Sequence, residues 1–277
     1  MTTPRLAVET DNGRFYTDPN PAFDGAMYPS VTNVLSVINK PALVPAAAKE
    51  VAEYAMASLP RLVKASRDPD AASEALRDLK SRARVMWDAA ADRGTRVHAL
   101  IEARALGLPL PEEEPEILAY FSQFERFCRE FGVDLARDVV VYETSVVNRT
   151  VGYAGTLDMI VNLCTDQDPG PVPWLLDFKT SAKRARTDLF DEFPLQLAGL
   201  RHAETVWLRS GLEEPMPRVA RCGILNLRQR GYALMPVEAG AQQFAMFKAA
   251  LTLTRGMHAQ KLDKVEALPA SGMKAVA

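Results

Sequence analysis

The spacing of apolar residues changes period near residue 138. From 41 to about 107 an Ala-rich stretch repeats with helical spacing, broken by Pro60 and by Asp68-Pro69-Asp70, and it closes at Gly107-Leu108-Pro109. Residues 112–132 predict another helix, with acids in the first turn and apolar residues at 117, 118, 121, 124, 127 and 131. Beyond it the pattern alternates. Residues 138–148, 151–163 and 172–181 predict three consecutive strands, joined by the turns NRT and CTDQDPGP. A helix over 194–211 ending at Gly211, a hairpin of VARCGILNL and YALMPV, and a helix at about 240–257 follow. At the other end, LAVETDNGRFYTD (6–18) predicts a hairpin around Asn12-Gly13, and Ser30 is placed to cap a short helix.

No internal repeat is present. The order implies a mixed α/β (α+β) fold, with a helical N-terminal half and a small central sheet flanked by helices. The expected divisions are a hairpin over 1–27, a helical region over 28–135, a core of sheet and helices over 136–257, and a disordered tail over 258–277.

A hydrophobic fraction of 48% against 25% charged residues is enough to build a real core. Lys and Arg number 33 against 35 acids, so any polyanion must be met by local patches and not by a general basic coat. Two stretches without acids qualify. One is 217–231, with Arg218, Arg221, Arg228 and Arg230; the other is 179–186, with Lys179, Lys183, Arg184 and Arg186. Either patch alone reads more simply as a solvated turn. The N-terminal MTTPRLAVETDN lacks the basic and apolar regions of a secretory signal, and no apolar run approaches the roughly 18 residues of a membrane span. Cys128, Cys164 and Cys222 are scattered, with no C-x-x-C, so neither a disulfide framework nor a cysteine metal site is expected. The expected location is the cytoplasm.

The strand WLLDFKTS (174–181) poses the chemical question. Alternation puts Asp177 and Lys179 on one face of a very apolar strand. A charge pair on a wet sheet edge is the plainer explanation. Yet Asp158 and Asp177 lie symmetrically about the CTDQDPGP turn, and Glu143 and Asp158 symmetrically about the NRTVG turn. Three adjacent strands could thus set Glu143, Asp158 and Asp177 in a row, with opposed residues roughly 4.5–5.5 Å apart. Carboxylates so close repel unless a cation sits among them, and a hard divalent ion suits oxygen ligands. Lys179 would hold and polarise a water there, or would simply neutralise excess negative charge. Gly155 marks a bulge or a close backbone approach beside Asp158. Upstream, His98 and Glu102 share one helical face; His98 is a candidate ligand, and Glu102 a residue that orients it or pairs with nearby basic groups.

In order and spacing, GTRVHALIE (94–102), Glu143 ahead of GYAGTLD (152–158), LDFKTS (176–181) and QLAGL (196–200) resemble the PD-(D/E)XK nuclease superfamily. The nearest branch is the RecB-type exonucleases, which include CRISPR-associated RecB-like nucleases and many phage exonucleases. YPSVTNVLSVINKPALVPAAAKEVAEYA is similar to the N-terminal segment of phage members, so the resemblance covers about residues 28–237.

The resemblance implies a restriction-endonuclease-like core that binds Mg²⁺ or Mn²⁺ through His98, Asp158, Asp177 and the carbonyl of Phe178. Lys179 is the motif lysine, Glu143 an accessory acid, and Gln196 the glutamine that opens the following helix. The motif usually places Tyr where Leu200 stands, which puts one stacking or hydrogen-bonding contact in doubt. Cluster-bearing relatives use four cysteines, so no iron–sulfur cluster is expected. The implied function is a metal-dependent DNA exonuclease of recombination, repair or phage replication. Lys183, Arg184, Arg186, Arg228 and Arg230 would hold the DNA backbone, and phage or host recombination proteins would be partners. The alternatives are a DNA-binding or assembly module that keeps the fold without turnover, or another phosphoryl-transfer enzyme. The last lacks a G-x-x-x-x-G-K-[ST] loop.

Overall fold

A computed structural model of the chain describes residues 6–182, 187 and 189–260. Of the expected tail over 258–277, residues 258–260 are described, the first two of them helical, and 261–277 lie outside, as do Lys183, Arg184 and Arg186.

The N-terminal hairpin forms from β1 (Ala7–Thr10) and β2 (Gly13–Thr17), and β3 (Met27–Pro29) completes a three-stranded antiparallel sheet. Its turn is one residue earlier than expected. Gly13 pairs with Thr10 at φ +90°, which leaves Asp11 and Asn12 as the loop. Ser30 caps α1 (Val31–Val34) by accepting the Asn33 N–H at 2.9 Å.

The Ala-rich region resolves into α2 (Leu43–Ala57), α3 (Leu59–Ala65) and α4 (Pro69–Ala105). Pro60 and Pro69 begin helices, as proline can where the N–H is unpaired anyway. The Asp68 carboxylate accepts the N–H of Asp70 at 2.9 Å and closes the start of α4. Next come α5 (Pro115–Glu130), which buries Ile117, Tyr120, Phe121, Phe124 and Phe127 along one face, and the short α6 (Leu135–Asp138).

The expected strands are β4 (Val139–Asn148), β5 (Tyr153–Leu163) and β6 (Val172–Thr180); after them come α7 (Glu192–Arg201), β7 (Thr205–Trp207), β8 (Glu213–Pro215), β9 (Arg221–Arg228), β10 (Gly231–Pro236) and α8 (Ala241–Ala259). Among the described residues seven strands form one sheet, ordered β10-β9-β6-β5-β4-β7-β8, in which β6 and β9 run parallel and the other neighbours antiparallel. The expectation of a single helix over 194–211 fails at Arg201. Thr205-Val206-Trp207, with β-branched and aromatic side chains, pairs instead with Ser145–Val147 on the free edge of β4.

Alternation along β6 shows how the layers are built. Leu175 joins a core with α1, α7 and α8 on one face; Leu176 and Phe178 join α4 and α5 on the other. Helices therefore cover both faces, which suits the apolar runs of the parallel pair β6–β9. No helix among the described residues is long and apolar enough to cross a membrane.

Gly155 is a true close approach: an added Cβ would sit 2.8 Å from Leu200 Cδ2 and 3.1 Å from Val31 Cγ2. Gly155→Ala is expected to cost about 1–3 kcal/mol by overpacking. Leu200→Ala in the same chain should return part of that in denaturant melts, and strictly additive effects would rule out this contact as the cause.

Candidate metal centre

The sheet forks where the acids stand. β5 and β6 pair from Leu163–Val172 to Met159–Leu176, and Asp158 and Asp177 are the next residues in that register. Past this point β5 stays with β4 while β6 stays with β9 through Thr180. The phase of β4 and β5 breaks at the same level. Val141 and Val146, like Leu157 and Ile160, sit in one core although strict alternation would separate them. Glu143 lies within the break at φ +39°, a conformation that costs a non-glycine residue about 1–2 kcal/mol.

The fork leaves backbone groups of Phe178 without a ladder partner. Asp158 takes one, its Oδ2 accepting the Phe178 N–H at 2.5 Å; the Phe178 carbonyl lies 3.4 Å from His98 Nε2. The Phe178 ring is buried edge-on against Phe124 and His98, each with centroids 5.7 Å away. α4 delivers His98 because its neighbours Val97, Leu100 and Ile101 are fully buried against the sheet. Tyr142 also donates its hydroxyl to the His98 carbonyl at 3.3 Å.

The result is a compact donor set. His98 Nδ1 lies 3.2 Å from Glu143 Oε1 and 3.9 Å from Asp158 Oδ1, and one ligand atom from each residue falls within 4.8 Å of the others. Beside it is a second triad. Lys179 Nζ lies 2.5 Å from Asp177 Oδ2, and Gln196 donates to Asp177 Oδ1 at 2.6 Å while accepting from Lys179 at 3.4 Å. Asp177 thus faces Lys179 and Gln196 and is not part of the His98–Glu143–Asp158 set, where Glu143 stands instead. A cleft of about 320 Å³ joins both triads.

Charge in the cleft is unbalanced. Burial pushes the Asp158 carboxyl up to about 7; Asp177 and Glu143 add to the rise and His98 opposes it. Burial disfavours the His98 imidazolium, but Asp158 and Glu143 outweigh it and raise the group to about 9. Lys179 is likewise raised, because Asp177 and Asp158 overcome the cost of burial. Protons thus occupy positions that a cation could fill. One imidazole with clustered carboxylate oxygens fits Mn²⁺ or Mg²⁺.

Of the other expected residues, Glu102 pairs with Arg209, and the carboxylate that meets His98 Nδ1 is that of Glu143. Leu200 fills the space against Gly155. The basic stretch 217–231 is not one patch. Arg221 pairs with Asp168 at 3.1 Å at the start of β9, whereas Arg228 ends that strand beside Ser181 and Ala182. Sequence reasoning missed the third wall of the cleft, where Arg14 and Tyr16 enter from the N-terminal sheet and the Tyr16 hydroxyl meets Thr156 Oγ1 at 2.8 Å. Thr156 was legible as a neighbour of Asp158 on alternate positions; Tyr16 lies 140 residues away, and no spacing rule connects them. No model of a known protein family matches the chain, and no curated protein does.

Proposed function

We propose that this cleft is the active site of a Mg²⁺- or Mn²⁺-dependent DNA nuclease of the PD-(D/E)XK type, RecB-like branch, with a restriction-endonuclease-like core. The reading includes exonuclease action in recombination, repair or phage replication. One observation carries it: His98, Glu143 and Asp158 converge at the fork within reach of the Asp177–Lys179–Gln196 triad.

His98, Glu143, Asp158 and the Phe178 carbonyl would hold the ion, with Asp177 alongside. A bound divalent ion supplies Lewis-acid neutralisation of charge on the phosphoryl oxygens. The chain does the rest. Lys179, kept charged by its acidic neighbours, is an electrostatic clamp and proton donor and not a base. It donates toward the attacking water or the scissile phosphate. As the P–O bond to that water forms, the P–O bond to the 3′-oxygen breaks in line; the water's proton passes to solvent in the cleft, and the leaving 3′-oxygen takes a proton from Lys179, which solvent then restores. Gln196 fixes the orientation of Asp177, which in turn fixes the ammonium. The Phe193 ring, 5.1 Å from Lys179 Nζ, keeps water off one side of the amine.

The test uses end-labelled linear, circular and single-stranded DNA with Mg²⁺, Mn²⁺ or EDTA. Loss of linear DNA with either ion, sparing of circles and no loss in EDTA are expected. Intact DNA in every lane would refute the nuclease, and nicked circles would refute the exonuclease mode.

A further inference from the structure

Arg93 stands out among the arginines of α4. Arg82, Arg84, Arg96 and Arg104 each pair with a carboxylate, whereas Arg77 and Arg93 pair with none among the described residues, and of those two Arg77 is exposed while Arg93 is not. It is half-buried, its Nε is shielded from solvent without a hydrogen-bond partner, and its guanidinium lies 5.6 Å from the centroid of the Tyr120 ring. Tyr120 is fully buried, and its hydroxyl also lacks a partner. Burial pushes that hydroxyl up; Arg93 acts against the rise, Glu116 with it, and Arg228 against it. An unneutralised, stacked guanidinium is costly to desolvate, and its planar fork matches phosphate oxygens.

Position supplies the rest. Arg93 precedes Gly94, which lines the cleft; a Cβ at Gly94 would be 3.6 Å from Thr180 Oγ1. Arg228 follows Leu227, the parallel partner of Thr180, and donates to the Ala182 carbonyl at 3.0 Å. The two cations therefore flank the end of β6, one residue past Lys179.

We propose that Arg93, with Arg228 beside it, seats a backbone phosphate of the nucleic-acid strand on the α4–α5 side of the cleft. This rests on the nuclease reading of the cleft and adds a contact that fixes the path of the strand. Tyr120 is the platform that holds the guanidinium in place.

Fluorescence anisotropy with a labelled single-stranded oligonucleotide, in EDTA and across a salt series, tests it. Arg93→Ala should weaken binding about tenfold and lower the slope of log K against log salt by about 0.7. Arg84→Ala, which removes an equal charge from the exposed face of the same helix, should change neither. Arg228→Ala is the second variant and should act in the same direction even if Arg93→Ala does not fold. Wild-type slope and affinity in both arginine variants would overturn the seat. If the wild type cleaves DNA in that case, the nuclease reading stands without it. If the wild type binds with the expected slope losses but never cleaves, the seat stands and the nuclease reading falls. A wild type that neither binds nor cleaves overturns both.

Discussion

Asp177→Asn is expected to slow DNA cleavage at least about 10³-fold, the scale on which a preorganised charge at a reacting centre acts. The side chain is nearly isosteric and only 3% exposed, so packing on β6 changes little. What changes is the charge beside Lys179. Asp177 is the main reason that the buried amine stays protonated, with Asp158 second. The Gln196 amide, which now donates to Asp177 Oδ1, would lose a charge-assisted acceptor. Lys179 would be held less firmly and charged less completely, while His98, Glu143 and Asp158 remain. DNA binding should persist and kcat should fall with little change in KM. A circular-dichroism melt close to wild type separates this from unfolding. Cleavage within about tenfold of wild type would remove Asp177 and Lys179 from the chemistry; loss of DNA binding together with cleavage would assign Asp177 to folding.

The second large effect is thermal. A divalent ion that replaces the bound protons should stabilise the folded chain by about 2.7 kcal/mol at a hundredfold excess over Kd, roughly 5–10 °C in Tm for a domain of this size. The benefit should grow with pH. His98 is raised from 6.5 to about 9, so its contribution to the stability of the ion-free chain is complete below 6.5 and lost as pH rises through 9. Asp158 is an acid raised from 3.8 to about 7; folding favours its protonated form, so its contribution also fades between those values. Both groups therefore weaken the ion-free protein as pH rises, and both then offer deprotonated ligands. Between pH 7 and 9, where His98 carries the proton to be displaced, apparent Mg²⁺ affinity should rise about tenfold per pH unit. Melts with Mg²⁺ and with EDTA at pH 6, 7, 8 and 9 measure this. A Mg²⁺ shift that is constant or shrinks with pH would rule out proton displacement from these groups.

Much of the site was legible because short turns fix register. The NRT and CTDQDPGP loops set Glu143 against Asp158, and Asp158 against Asp177, before any tertiary contact is considered. Alternation likewise placed Lys179 with Asp177. What local pattern could not supply was the break in phase at Glu143, since a left-handed glutamate inside a strand has no propensity signal. Nor could it show that β5 and β6 separate beyond Met159, which puts Asp177 with Gln196 instead of in the acid row. The end of α7 was misjudged because Thr205-Val206-Trp207 also satisfies a helical period; the vacant edge of β4 decides between the two. Arg221 looked available in a stretch without acids, but its partner Asp168 comes from a loop 53 residues earlier.

The most direct measurement is an anomalous difference map from crystals grown with Mn²⁺, recorded for the wild type and for Asp158→Asn. The expected result is a peak bounded by His98, Glu143 and Asp158 that disappears in the variant. A Mn²⁺-saturated wild-type crystal with no peak at the fork of β5 and β6, or with the same peak after Asp158→Asn, would contradict a metal centre built on these side chains.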